Sequence, residues 1–178
     1  MAEFHLHPVL PGSDAALSKG CYIILLDAKH VPPHLLVSLD GEVHSVSSAG
    51  RQMGSALEKL LTFIRRKNIP TLFLEWKTGK SAEETKRVLH ESFSKYPKLE
   101  AGQSSCLSPI RDAAAAFHSE EMRTANFIFE LLPLLKAKQA MGNAFGFFTE
   151  ETFVLNHYTT DAVNEAIRNS TAPSRLTT

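Results

Sequence analysis

The sequence predicts an α+β domain, with an antiparallel sheet from the N-terminal part packed against helices. Three observations carry that expectation. Strand signals crowd residues 20–47. Helical signals dominate from residue 51 onward, with one further strand among them. Nothing in between, whether repeat, low-complexity block or shift in composition, marks a second domain. The 178 residues, 43% of them hydrophobic, are enough to bury one core without disulfide or metal staples. The expected organisation is a single domain over residues 1–168 and a flexible tail over 169–178.

The elements follow in order. Residues 1–19 contain Pro8, Pro11 and Gly12 and read as an irregular lead-in or a short edge strand. After Gly20, CYIILLD is continuously apolar and rich in β-formers, the mark of a buried strand. Pro32 and Pro33 end it. HLLVSL and EVHSVS flank Asp40-Gly41, the strongest short-range hairpin signal there is. Ser47 to Arg51 reads as a loop. Residues 55–67 place Ala56, Leu57, Leu60, Leu61 and Ile64 at helical spacing, and Arg65, Arg66 and Lys67 complement the dipole in the last turn.

Pro70 introduces the strand TLFLEW. Ser81 with Glu84 three residues on is a capping box for a helix to about Lys95. An alanine-rich helix follows Cys106 and runs through Phe117. Ser119 or a neighbour caps a longer helix holding Met122, Ala125, Phe129 and Leu132, kinked or restarted at Pro133. Gly142 and Gly146 interrupt an aromatic patch, and Thr160-Asp161 opens a last helix to about Arg168.

Composition excludes several functions. Lys plus Arg and Asp plus Glu are both 19, so no basic excess points to nucleic acid. No apolar run is long enough to span a bilayer. The opening residues lack the layout of a signal peptide, and two cysteines do not make a disulfide framework. A cytoplasmic protein with reduced thiols is expected. Gly79-Lys80-Ser81 lacks the glycine that a phosphate-binding loop needs five residues earlier, where Leu74 stands. G-x-S-x-G is absent. His5, His7, His30, His34 and His44 show no spaced pair on a helix, so no metal is expected, and no organic cofactor is required.

Cys21 lies inside an apolar strand, where a thiol is inert. Cys106 stands at the mouth of a helix. With Ser105 as N-cap it is the first helical residue; with Ser108 as N-cap, Pro109 takes its preferred first position and Cys106 stays near the free N–H groups. Either placement favours the thiolate. A cysteine nucleophile needs a base and a group to orient it, and His34 and His44 bracket the hairpin. In a strict two-residue turn they point to opposite sheet faces, and only a turn with an odd residue count or a bulge brings them together. Ser45, Ser47 and Asp27 are the other candidates to orient His34.

The stretch GCYIILLDAKHVPPHLLVSLDGEVHSVS, followed later by SSCLSPIRDAAAAF, resembles the circularly permuted NlpC-type papain-like hydrolases and acyltransferases. These include the lecithin:retinol acyltransferase-like enzymes and related bacterial amidases. The resemblance covers roughly residues 20–47 and 104–117. It implies a permuted papain-like core, with Cys106 as nucleophile, His34 as base and His44 as orienting residue. Such enzymes cleave or transfer acyl groups of amides, thioesters or esters through an acyl-cysteine. N–H groups at the helix start would hold the oxyanion, with Gln103 as a further donor. The expected partner is a peptide, amide or acyl substrate. The alternative is a non-catalytic peptide-binding or adaptor domain. It would use the apolar segment FIFELLPLLKAKQAMGNAFGFF as a groove or as a face for a protein partner or a homodimer.

Overall fold

A six-stranded antiparallel sheet lies between two layers of helices. The computed structural model describes residues 2–170. In chain order these form β1 (His5–Leu6), α1 (Asp14–Leu17), β2 (Cys21–Leu26), β3 (His34–Leu39), β4 (Glu42–Ser47), β5 (Gly50–Ala56), α2 (Leu57–Lys67), β6 (Thr71–Trp76), α3 (Ala82–Ser94), α4 (Ser108–Phe117), α5 (Ile128–Ala137), β7 (Met141–Phe147), β8 (Phe153–Val154) and α6 (Thr160–Asn169). The sheet order is β5-β4-β3-β2-β6-β7, and β1 pairs separately with β8. The α+β class is as the sequence predicts. Most of the expected tail, residues 171–178, lies outside the described residues; its start completes α6, with Ser170 as C-cap. Among the described residues, no helix is long and apolar enough to cross a membrane.

Both sheet faces are covered, which is why β2 and β6 read as unbroken apolar runs. Ile23, Leu25, Leu35, Val37 and Leu74 pack with Leu89 and Phe93 of α3, Ile110 and Ala114 of α4 and Leu131 of α5. The alternate residues Tyr22, Ile24, Leu36 and Phe73 face Leu17 and the α2 side chains Leu57, Leu61 and Ile64. At the tip of the first hairpin, Asp40 (φ 47°) and Gly41 (φ 84°) are both left-handed, as a two-residue type I′ turn requires. The pairs Leu39↔Glu42, Ser38↔Val43 and Val37↔His44 follow without a shift. The bulge lies one strand further out, where β4 meets β5 between Val43 and Ser45.

Three segments differ from the sequence reading. The expected loop after Ser47 is a tight connection to β5, an edge strand. Its polar, glycine-containing sequence carries no apolar alternation because most of it is solvent-exposed. The helix expected after Ser119 is broken: Glu120–Thr124 form a 3₁₀ turn and α5 starts at Ile128. The Glu130 carboxylate accepts from the Asn126 N–H (2.7 Å), just ahead of that start. The aromatic patch becomes edge strand β7, and Phe145 and Phe147 pack on Tyr22 and Phe73. Ser81 caps α3 as expected, with the Glu84 N–H donating to its Oγ (3.1 Å), while the Glu84 carboxylate pairs with Arg87.

Candidate functional site

A cavity of about 580 Å³ opens at the end of the sheet where β2 turns back into β3. Its walls are largely apolar, with Leu26, Pro32, Leu35, Phe63, Leu99 and Ile167 among them. The polar side chains it gathers include His34, Ser47, Cys106, Asn126 and Tyr158. Cys106, from the start of α4, and His34, from the start of β3, thus share one cavity although they are far apart in sequence.

The sheet itself makes room for the sulfur. The Asp40 N–H donates to Gly20 C=O (2.9 Å), so residues 40, 38, 36 and 34 direct their backbone groups to β2. Residues 39, 37, 35 and 33 therefore direct theirs toward β4. But β4 pairs with β3 only through Glu42, Val43 and His44, then bends away to follow β5. Pro33 C=O and Leu35 N–H are left on an unpaired edge, and Cys106 lies there. Its thiol faces Pro33 C=O at 4.0 Å, and the N–H groups of Leu35, Leu107 and Cys106 itself surround the sulfur.

The chain around Cys106 is held by reciprocal serine contacts. The Ser105 N–H donates to Ser108 Oγ (2.9 Å), and the Ser108 N–H to Ser105 C=O (2.9 Å). The Leu107 N–H donates to Ser105 Oγ (3.3 Å). Helix α4 begins at Ser108, so neither expected cap is realised: Leu107 is the N-cap, without a side-chain bond, and Cys106 precedes it. The Cys106 N–H makes no hydrogen bond to another protein group among the described residues.

Electrostatics at the site run against the expected thiolate. Burial pushes the Cys106 thiol up to about 11, and the three surrounding N–H groups only partly offset this. Cys106 and His34 are both only half-buried by surface area, because they open onto the cavity. Burial also holds His34 below the ordinary histidine range. At neutral pH the pair is therefore a thiol and a neutral imidazole, the forms from which a base accepts a proton. The His34 ring lies on the α2 side of the sheet with Leu36, and no hydrogen bond joins it to the sulfur.

His44 is placed elsewhere. The unshifted register puts it on the opposite face from His34, where it is fully buried. Its Nδ1 accepts from the Gly54 N–H (3.1 Å), and its ring packs edge-on to His90 and against Phe93. Its Nε2 has no hydrogen-bond partner among the described residues. The partnership expected between His34 and His44 is not formed, because the type I′ turn allows no change of parity. Gln103 is exposed in the turn before α4 and does not line the cavity. Among the other candidates to orient His34, Asp27 and Ser47 line the cavity and Ser45 does not. Cys21 is buried and its thiol is pushed up to about 12.

Sequence reasoning did not single out Tyr158 or Asn126. Tyr158 lies in the short link between β8 and α6 and Asn126 just before α5; neither sits in a motif, and only packing brings them to the sulfur. Comparison of the chain with protein-family models, with curated proteins and with solved structures finds no match.

Proposed function

We propose that the protein is a cysteine-dependent hydrolase or acyltransferase of amides, thioesters or esters, built on a core akin to the permuted NlpC-type papain-like enzymes and working in the cytoplasm. One observation supports this above others: the Cys106 sulfur lies on the free edge of β3 beside the His34 backbone, inside a cavity that both side chains line. In this reading the His34 ring turns toward the sulfur when substrate enters and takes the thiol proton. The sulfur attacks the carbonyl carbon, and the oxyanion draws on the Cys106 N–H. Collapse expels the leaving group, which takes the proton from His34. Water or an amine then resolves the acyl-cysteine, with His34 again as base.

Asp27 and Ser47 remain as groups to orient the imidazole. The alternative, a binding or adaptor domain, drew on the apolar segment 127–148. Ile128, Phe129, Leu131, Leu132 and Leu135 of that segment are core residues, so its hydrophobicity is accounted for by packing.

The test is covalent trapping. Incubation with p-nitrophenyl acetate is expected to place one acetyl group on the Cys106 peptide, read by mass spectrometry. Cys106→Ser should abolish that adduct, and His34→Asn should slow it by about 10²–10⁴-fold. Acetylation of Cys21 at equal rate, or an unchanged rate in Cys106→Ser, would overturn the proposal.

A further inference from the structure

Tyr158 is the polar side chain nearest in kind to what the site lacks. Gln103 lies outside the cavity, so the oxyanion of the proposed reaction has a backbone donor at Cys106 and needs a side-chain donor other than the one expected. Tyr158 lines the same cavity. Its ring is fixed by an aromatic cluster. Phe127 and Phe129 stack on each other (4.9 Å between centroids, 14° between planes), and both meet Tyr158 edge-on, at 5.4 and 5.1 Å. His157 stacks on Phe129 at 4.4 Å and closes the far side. A phenol held by two neighbouring rings loses little freedom when it bonds a reacting atom, which is the condition for preorganised stabilisation.

The hydroxyl has two neighbours. The Ile128 N–H, a free donor in the first turn of α5, faces the phenol oxygen, and Cys106 is near enough for its charge to act on the ring. No protein acceptor takes the hydroxyl proton among the described residues. Burial raises the phenol well above its ordinary range, so near neutral pH it is protonated. Its hydroxyl proton is thus available to a group bound in the cavity that Tyr158 lines.

We infer that Tyr158 is the side-chain donor of the oxyanion hole, with the Cys106 N–H as its backbone partner. The inference rests on Cys106 as the nucleophile. As the sulfur bonds to the carbonyl carbon, the C=O π pair moves to oxygen, and the Tyr158 O–H and Cys106 N–H donate to it. As that pair returns, the bond to the leaving group breaks, and the leaving group departs with the proton that His34 took from the thiol. Tyr158 keeps its own proton throughout.

Two reagents separate this role from a merely structural one. Acylation by p-nitrophenyl acetate passes through an oxyanion; alkylation by iodoacetamide does not. Tyr158→Phe keeps the ring and its packing. It should slow release of p-nitrophenolate by about 10²-fold and leave the alkylation rate of Cys106 as in the natural chain. Equal acylation rates for Tyr158→Phe and the natural chain would overturn the inference while leaving Cys106 as nucleophile. Undiminished acylation in Cys106→Ser would instead remove the reading beneath it. Were the Phe variant not to fold, Tyr158→His, which retains a ring donor, gives the same contrast. Acylation close to the natural rate supports the donor, and acylation slowed by about 10²-fold or more with normal alkylation refutes it.

Discussion

His44 makes the stability of this fold depend on pH in a direction and amount that can be stated beforehand. The side chain is fully buried, its Nδ1 is committed to the Gly54 N–H, and its Nε2 has no partner. A proton added to that ring has no acceptor and meets His90 and Lys86, with only Glu42 in its favour. Burial first, and those two side chains after it, push His44 from 6.5 down to about 4. In the unfolded chain it titrates at its ordinary value. Between the two values the unfolded state binds more protons, so stability rises with pH in that window. The contribution is unimpaired above about pH 6.5, falls as pH drops, and is fully lost below about pH 4. A shift from 6.5 to about 4, at about 1.4 kcal/mol per unit, amounts to about 3 kcal/mol. Set against a total stability of about 5–15 kcal/mol, the loss is large.

The assay is urea unfolding followed by circular dichroism across that range, on the natural chain and on His44→Asn. The asparagine Oδ1 can stand where Nδ1 stands and accept from Gly54, and it does not titrate. His34 and His118, also held low by burial, contribute equally to both proteins and cancel. The difference in unfolding free energy should shrink by about 3 kcal/mol from near-neutral pH to about pH 4. A difference that stays constant across the range would refute the reasoning and mean that the folded protein gives the His44 proton a partner.

Two further outcomes follow from the same geometry. With Cys106 raised from 9.0 to about 11, its thiolate fraction near neutral pH is about 100-fold below that of an ordinary thiol. Alkylation by iodoacetamide in a Cys21→Ala background should therefore be slow at neutral pH and climb tenfold per pH unit; a plateau below about pH 9 would show a thiolate stabilised at the helix start. Asp112 is buried, and accepts from Tyr96 Oη (2.6 Å) and from Arg123 (2.7 Å), linking α3, α4 and the 3₁₀ turn. Because Arg123 is half-exposed, Asp112→Ala should cost about 2 kcal/mol rather than the full value of a buried pair. Urea midpoints would check this, and no change would mean that Tyr96 and Arg123 find water equally well.

Much of the fold was legible in the letters because the information is local. The hairpin came from Asp40-Gly41, whose two left-handed residues select one turn type. The buried strands came from continuous β-branched and aromatic runs, and helix α3 from a cap that bonds within its own first turn. Edge strands β5 and β7 were not legible. Most of β5 is solvent-exposed and β7 is only partly buried, so their residues need not alternate, and what defines each strand is the neighbour it pairs with. The break before α5 escaped for a similar reason: Met122 and Ala125 are buried at a helical interval, yet they sit in a 3₁₀ turn and its cap.

The site divides along the same line. By itself the sequence determined which side chains bear chemistry, that Cys21 is enclosed by its own strand, and that a two-residue turn would set His34 and His44 on opposite faces. These follow from composition, alternation and turn stereochemistry, each spanning a few residues. Only the tertiary structure decided that β4 leaves β3 after three pairs, that the vacated edge receives Cys106, that burial outweighs the helix start in setting its thiol, and that Tyr158 joins it from the last part of the chain. Each of these depends on what solvent the fold excludes and which distant segments it packs together, and neither quantity is a property of any short stretch of sequence.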